Sequence, residues 1–248
     1  MTEQRITARK NPLLQQVRRL LTSRKEREAT GLFVADGTKL LAEAVKWWPG
    51  LDTVILADGV EAEIPENVRL IRVPGDVMES ISPMQTPQGA LFLCRLPEKT
   101  AYCPQPGLLL DGIQDPGNLG TILRTADALD VPVTLLEGCA DPYSHKVVRA
   151  SMGAVFRKPA MQADWAAVKA ACDAQSLPVA VTALSESARD LRDAPLDTMA
   201  VVIGSEGQGV RREILEYARE QLIIPMNAHC ESLNAAVAAT IVMWQMKR

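Results

Sequence analysis

The sequence predicts an α/β protein in two parts, and three observations lead there. Short apolar runs bounded by glycine or proline alternate with segments whose apolar residues recur every three to four positions, as strands alternating with helices do. The stretch at 97–107, PEKTAYCPQPG, holds three prolines in eleven residues and interrupts that alternation the way a linker does. The chain has 248 residues, between one and two domains at roughly 150 residues each. The expected organisation is a small N-terminal α/β domain at 1–100 and a C-terminal parallel-sheet α/β domain at 107–248.

The elements follow in order. Leu13, Leu14, Val17, Leu20 and Leu21 form one helical stripe, which Arg18 and Arg19 leave. GLFVADG at 31–37 reads as a buried strand between glycines. A helix over 38–48 places Leu40, Leu41, Ala44, Val45 and Trp48 on one side and stops at Pro49-Gly50. Strands are expected at 53–57, 68–73 and 89–96. Beyond the linker, strands are expected at 108–110, 131–136, 179–183, 199–203 and 221–224. Helices are expected near 119–129, 165–175, 210–218 and 233–246.

Composition narrows the function classes. Apolar residues make up 47% and charged residues 23%, with a net charge of −3, which excludes a disordered chain, a collagen-like fibre and a polybasic wrapper of nucleic acid. The five cysteines form no CxxC pair, so free thiols in a reducing compartment are expected. His145 and His229 are the only histidines and stand at no metal-ligand spacing, so no metal is expected. The N-terminus lacks the apolar core of a signal peptide, and the longest apolar stretch, 235–244, is too short to span a bilayer. A cytoplasmic protein without a membrane partner is the expectation.

The charge is uneven. The first 30 residues carry eight basic and three acidic side chains, leaving the remaining 218 at −8. Arg18, Arg19, Arg24 and Lys25 thus form either a solvated helix face or a landing place for an anionic partner.

Three segments of the second half follow apolar strands, where open α/β sheets gather ligands. In the first, at 108–129, Asp115-Pro116-Gly117-Asn118 signals a turn, with Asn118 a plausible helix cap. Arg124 lies off the buried stripe of the helix that follows, and its side chain leans back toward Asn118. In the second, VVIGSEGQGV at 201–210, three glycines surround Glu206, as in a plain turn or a loop that lets a ligand approach the backbone. Its GxxGxG order is not the dinucleotide fingerprint. In the third, at 222–245, a strand stops at Pro225 and Ser232 or Asn234 opens a helix rich in small residues.

Together these motifs resemble the SpoU (TrmH-type) branch of the SPOUT RNA ribose methyltransferases. The likeness runs from residue 108 to the C-terminus through N-x-G-x-x-x-R-T-A at 118–126, G-S-E-G-x-G at 204–209 and I-P-M…S-L-N-A-A-V-A at 224–238. The segment at 11–37 is similar to the substrate-binding domain that precedes the catalytic domain in many members. The resemblance implies methyl transfer from S-adenosylmethionine to a ribose 2′-hydroxyl, in rRNA rather than tRNA given the added domain. It also implies a homodimer and a parallel sheet whose C-terminal segment threads a trefoil knot around the cofactor.

By motif position, Gly204, Ile224, Met226, Ser232 and Leu233 would line the cofactor pocket. Arg124 would act at the ribose hydroxyl, with Asn118, Glu206, Ser232 and Asn234 arranging the reacting groups and Glu231 in a minor part. An arginine stays protonated to a pKa above about 12, so a positioning and charge-stabilising role suits Arg124, the proton leaving through water or Glu206. Lys146 and Arg149 sit where relatives carry a basic segment and join Arg18, Arg19, Arg24 and Lys25 as candidates for RNA contact. Two other classes compete: a non-catalytic RNA-binding or ribosome-assembly protein, and a small-molecule enzyme using the glycine loop for a nucleotide. Intact Asn118, Arg124, Glu206 and Asn234 speak against the first, and the basic N-terminus against the second.

Overall fold

A computed structural model describes residues 3–98, 100–185, 187–205, 207–227, 229–230 and 232–248. In chain order the elements are β1 (Glu3–Arg5), α1 (Pro12–Thr22), α2 (Arg24–Thr30), β2 (Leu32–Asp36), α3 (Thr38–Trp47), β3 (Leu51–Ala57), β4 (Arg69–Val73), α4 (Gly75–Ile81) and β5 (Ala90–Arg95). There follow β6 (Gly107–Asp111), α5 (Pro116–Ala128), β7 (Val133–Leu135), α6 (His145–Ala150), α7 (Ala154–Arg157), β8 (Met161–Gln162), α8 (Trp165–Gln175), β9 (Val179–Thr182) and β10 (Arg189–Asp190). The chain ends with β11 (Ala200–Gly204), α9 (Arg212–Tyr217), β12 (Glu220–Ile223) and α10 (Ala235–Met246).

The chain divides into two compact units. The first takes Met1–Glu98 and also Asp141–Arg157, and the second takes Lys99–Ala140 and Lys158–Arg248. The first cut falls inside the proline-rich stretch. The expected division into 1–100 and 107–248 differs from this in one respect: α6 and α7 leave the C-terminal half and pack into the N-terminal unit.

The first unit is a mixed five-stranded sheet ordered β1-β4-β3-β5-β2, with β2 and β3 antiparallel to β5. The leucine stripe of α1 closes its core: Leu14, Val17 and Leu20 meet Ile55, Ile71 and Leu93, all almost fully buried. Asn11 caps α1 by accepting from the Leu13 amide, and Pro12 stands in the first turn, where a missing N–H costs nothing. The borrowed segment is held by an aromatic cluster. The Tyr143 ring lies 5.0 Å and the Phe156 ring 6.3 Å from Phe33, with Trp48 and Phe92 completing the group. Arg27 is 5% exposed and ion-pairs with Asp141 at 2.7 Å, so it is an internal tie and not a surface charge.

The second unit is a seven-stranded parallel sheet ordered β10-β12-β9-β11-β6-β7-β8. The strands β6, β9 and β11 are near-continuous apolar runs because helices cover a parallel sheet on both faces. From β6 the chain moves outward through β7 to β8, then returns to build the other side. The carboxyl ends of neighbouring β6 and β11 therefore mark the topological switch point, where such sheets place ligands. On this side α10 packs against α5, β6 and β11.

Candidate functional site

The glycine loop after β11 is closed by its own backbone. The Ser205 amide donates to the Gly209 carbonyl at 3.2 Å, the Gly209 amide donates back at 2.9 Å, and the Gln208 amide donates to the Ser205 hydroxyl. Gly209 has φ +67°, which glycine adopts at little cost. At Gly204 a Cβ would run into the Gly209 carbonyl and the Val210 nitrogen. Glycine is thus required there because the loop folds back on itself, a reason additional to the expected approach of a ligand to the backbone.

This loop borders a cavity of about 420 Å³. Gly204, Ile224, Met226, Ser232 and Leu233, drawn from two motifs, all line it. Ala235 and Ala238 of α10 form one wall, and the small side chains keep that wall open. The end of β9 and the loop after it contribute Thr182 and Leu184, which carry no motif signal in the sequence. Leu184 is 66% exposed, an unusual state for a leucine. No charged side chain lines the cavity among the described residues.

Beside the cavity the first and third motifs meet. Asp115, not Asn118, caps α5, accepting from the Asn118 amide at 2.7 Å with Pro116 in the first helical turn. The Asn118 side chain is left for another use: its carbonyl oxygen accepts from the Asn234 side-chain amide at 3.0 Å. Asn234 also caps α10, its oxygen accepting from the Ala236 and Val237 amides, so of the two openers considered the structure uses Asn234. Neighbouring Ser232 is exposed. Arg124 is exposed on α5, six residues or about 9 Å of helix axis beyond Asn118, with no hydrogen-bond or ion-pair partner among the described residues. Glu206 and Glu231 lie outside the described residues.

An ionic cluster at the same strand ends has no counterpart among the sequence motifs. Asp111, 2% exposed at the end of β6, accepts from the Arg211 amide at 2.8 Å and from its guanidinium at 2.7 Å. The same guanidinium reaches Glu137 at 2.8 Å, and Glu137 also accepts from the Trp165 amide. Burial opposes the charge on Glu137, but hydrogen bonds from its own backbone, Arg211 and Trp165 outweigh it and hold the carboxyl below its usual range. Partners a hundred residues apart leave no periodic signal; the one cue is an acid ending the apolar run LLLD.

The candidate RNA contacts separate into two kinds. Arg18 bonds to the Ser80 carbonyl and hydroxyl, Arg19 pairs with Glu26, and Arg24 pairs with Glu28. Arg5 and Arg9 are likewise matched by Asp58 and Asp76. Most of the N-terminal positive excess is therefore already answered within the unit. Lys25 and Lys146 are exposed with no ion-pair partner among the described residues, and exposed Arg149 donates to the Met84 sulfur. His145 is half-buried with Nδ1 3.2 Å from the Leu21 carbonyl, and burial lowers its pKa. Among the described residues no cluster of three metal-ligating side chains occurs, and no helix is long and apolar enough to cross a membrane.

Comparison with known proteins returns to the same segments. Residues 106–244 match the SpoU rRNA Methylase family and residues 11–91 match the MRM3-like substrate binding domain. The Bacillus subtilis protein named 23S rRNA (guanosine(2553)-2′-O)-methyltransferase RlmP is 31% identical over 231 residues, spanning 92% of this chain and 93% of its own. The mouse mitochondrial rRNA methyltransferase 3 is 29% identical, spanning 95% of this chain and 72% of its own. An AdoMet-bound rRNA methyltransferase from Sinorhizobium meliloti matches with a TM-score of 0.87 at 27% identity, over 99% of this chain and 98% of that one.

Proposed function

Because the chain belongs to the SpoU rRNA methylase family, we propose that it transfers a methyl group from S-adenosylmethionine to a ribose 2′-hydroxyl of ribosomal RNA. It is an RNA methyltransferase of that family, and the family's cofactor is S-adenosylmethionine. The single observation that carries ribose methylation is the meeting of the three motifs. Gly204, Ile224, Met226, Ser232 and Leu233 share one cavity, and Asn234, flanked by two of its lining residues, reaches Asn118.

The residues present fit the cofactor. About 420 Å³ lies within the range of small-molecule sites, and a mostly apolar lining with a few polar side chains, Thr182, Ser205, Gln208 and Ser232, suits a nucleoside. The lining holds no cation among the described residues to repel a sulfonium. When bound, S-adenosylmethionine supplies an electrophilic methyl on sulfur. Asn118, Ser232 and Asn234 orient the ribose, and positioning of this kind contributes most where the electrophile is already activated. Arg124, permanently charged and unpaired among the described residues, steadies the negative charge growing on the 2′-oxygen. The hydroxyl proton would leave to water or to Glu206 as the methyl group is accepted.

The same reading carries a homodimer, a knotted C-terminal segment and a cytoplasmic location. For the dimer the support is Val237 and Trp244, large apolar side chains two turns apart on α10 that are 48% and 64% exposed. The function is tested by mapping ribose methylation over total RNA in cells with and without the gene. Loss of one rRNA 2′-O-methyl mark is expected. Loss of a tRNA mark instead selects the tRNA alternative, and no loss at all selects a non-catalytic RNA-binding protein.

A further inference from the structure

The glycine loop that borders the cavity is anchored differently at its two ends. At its start, Gly204 continues the ladder of β11 and is held in register beside Asp111 of β6. At its finish, Val210 lines the cavity and the next residue, Arg211, is held by acidic side chains. Its amide and its Nε both bind Asp111, one to each carboxylate oxygen, at 2.8 and 2.7 Å. Its two terminal nitrogens reach Glu137 at 2.8 Å and Glu213 at 3.3 Å. Both ends of the loop thus converge on Asp111, and Glu137 ties the clasp onward to the first amide of α8.

We propose that Arg211 is a positioning residue for cofactor binding, clasping the end of the glycine loop to β6 and so fixing the shape of the cavity. This rests on reading the 420 Å³ cavity as the S-adenosylmethionine site. The loop places five of its residues, Gly204, Ser205, Gln208, Gly209 and Val210, on the cavity wall. The course of the loop sets where these residues stand, so the fit of this wall depends on where the ends of the loop are pinned. The Ser205–Gly209 bridge fixes the loop internally, but nothing in that bridge ties it to the sheet. The clasp supplies this, and it uses the one side chain whose planar fork can serve two carboxylates while its own amide binds the first. Arg211 is not part of the cavity lining and acts only through the loop.

The test measures S-adenosylmethionine binding by calorimetry, steady-state kinetics on RNA, and unfolding temperature, in the full chain. Wild type must bind; if it does not, the cavity reading fails and takes the clasp with it, whereas the variants test the clasp alone. Given binding, Arg211→Gln is expected to raise Kd and KM for the cofactor tenfold or more. At saturating cofactor kcat should stay within about threefold and KM for RNA should not move. Arg211→Lys, which keeps the charge but loses the fork, should recover only part of the affinity. Should Arg211→Gln fail to fold, Glu137→Gln decides: its side chain is half exposed, and its loss should weaken cofactor binding severalfold with only a small fall in unfolding temperature. Unchanged cofactor affinity in the folded variants, or a fall in kcat with KM for the cofactor untouched, overturns the proposal.

Discussion

The side-chain amide of Asn234 donates to the side-chain carbonyl of Asn118 at 3.0 Å, joining two motifs 116 residues apart. Asn234 performs two tasks with two atoms. Its oxygen closes the first turn of α10, and its nitrogen holds Asn118 at the start of α5.

The two tasks are separable by substitution. Asn234→Asp keeps an oxygen for the Ala236 and Val237 amides, so α10 stays capped, but it removes the donor to Asn118 and sets a carboxylate against a carbonyl oxygen. Turnover should fall at least tenfold with the unfolding temperature nearly unchanged. Asn234→Ala loses the cap as well and should cost a further ~1 kcal/mol in denaturant unfolding. Equal stability losses in both variants with normal turnover in Asn234→Asp would show that the pair is only structural.

Arg124 offers a cleaner separation because it is exposed and unpaired among the described residues. Arg124→Ala should leave stability within about 0.5 kcal/mol, as surface substitutions in helices do. Methyl transfer should drop by two orders of magnitude or more while cofactor affinity measured by calorimetry is retained. Near-normal turnover on the true RNA would remove Arg124 from the reaction.

The cavity predicts a contrast between Gly204 and Ala238. At Gly204 any side chain strikes the loop's own backbone, so Gly204→Val should lower both stability and cofactor affinity. Ala238 lines the cavity from the regular wall of α10, so Ala238→Leu should fill the space without moving the loop. Cofactor Kd should rise more than tenfold, with unfolding of the unliganded protein unchanged. If Ala238→Leu binds normally, the cofactor lies elsewhere.

How much of this was legible in the sequence depends on whether a feature leaves a local pattern. Central strands such as β6 and β11 announced themselves because burial on both faces demands unbroken apolar runs such as LLL and AVVI, whereas the two-residue β8 and β10 were not foreseen. By contrast β1 is EQR, exposed throughout and specified by its pairing with β4, so nothing local marks it. The helix α2, RKEREAT, buries only Arg27, and the partner that lets an arginine be buried, Asp141, stands 114 residues away. The migration of α6 and α7 into the first unit was hidden for the same reason: Tyr143 and Phe156 read as ordinary apolar residues until Phe33 and Trp48 are seen beside them. At the site, loops following strands led to the cavity residues, whereas the cap of α5 went to Asp115 because Pro116 fixes the helix start one residue after it. Excess positive charge was visible in the count, but its neutralisation by Asp58, Asp76 and Asp141 from beyond the first 30 residues was not.

That neutralisation reshapes the expectation for RNA. Removing one cation that neutralises a phosphate should reduce the slope of log affinity against log salt by about 0.7–0.9. Replacing Lys25, Lys146 and Arg149 with Gln should flatten the slope by about two, since none of the three forms an ion pair among the described residues. Replacing Arg19 and Arg24 should change it little, because each already faces a glutamate. The opposite ranking, measured by titration at several salt concentrations, would place the RNA on Arg19 and Arg24 despite their glutamate partners.

His145 should make the first unit sensitive to acid. It sits at the N-terminus of α6, and the groups that face it are the Leu21 carbonyl, Lys146, Arg27 and Asp36. Burial, chiefly, and then Lys146 and Arg27 disfavour its charge, against the opposing pull of Leu21 and Asp36, so its folded pKa lies below the ordinary 6.5. As pH falls through 6.5 the unfolded chain therefore takes up the proton before the folded one does. The contribution is fully present above that pH and is lost as pH drops toward the folded value. Denaturant unfolding of wild type should show this loss as pH is lowered below 6.5, and His145→Gln should remove that part of the slope while keeping a donor for Leu21. Parallel curves for the two proteins would mean that His145 titrates as it does in water.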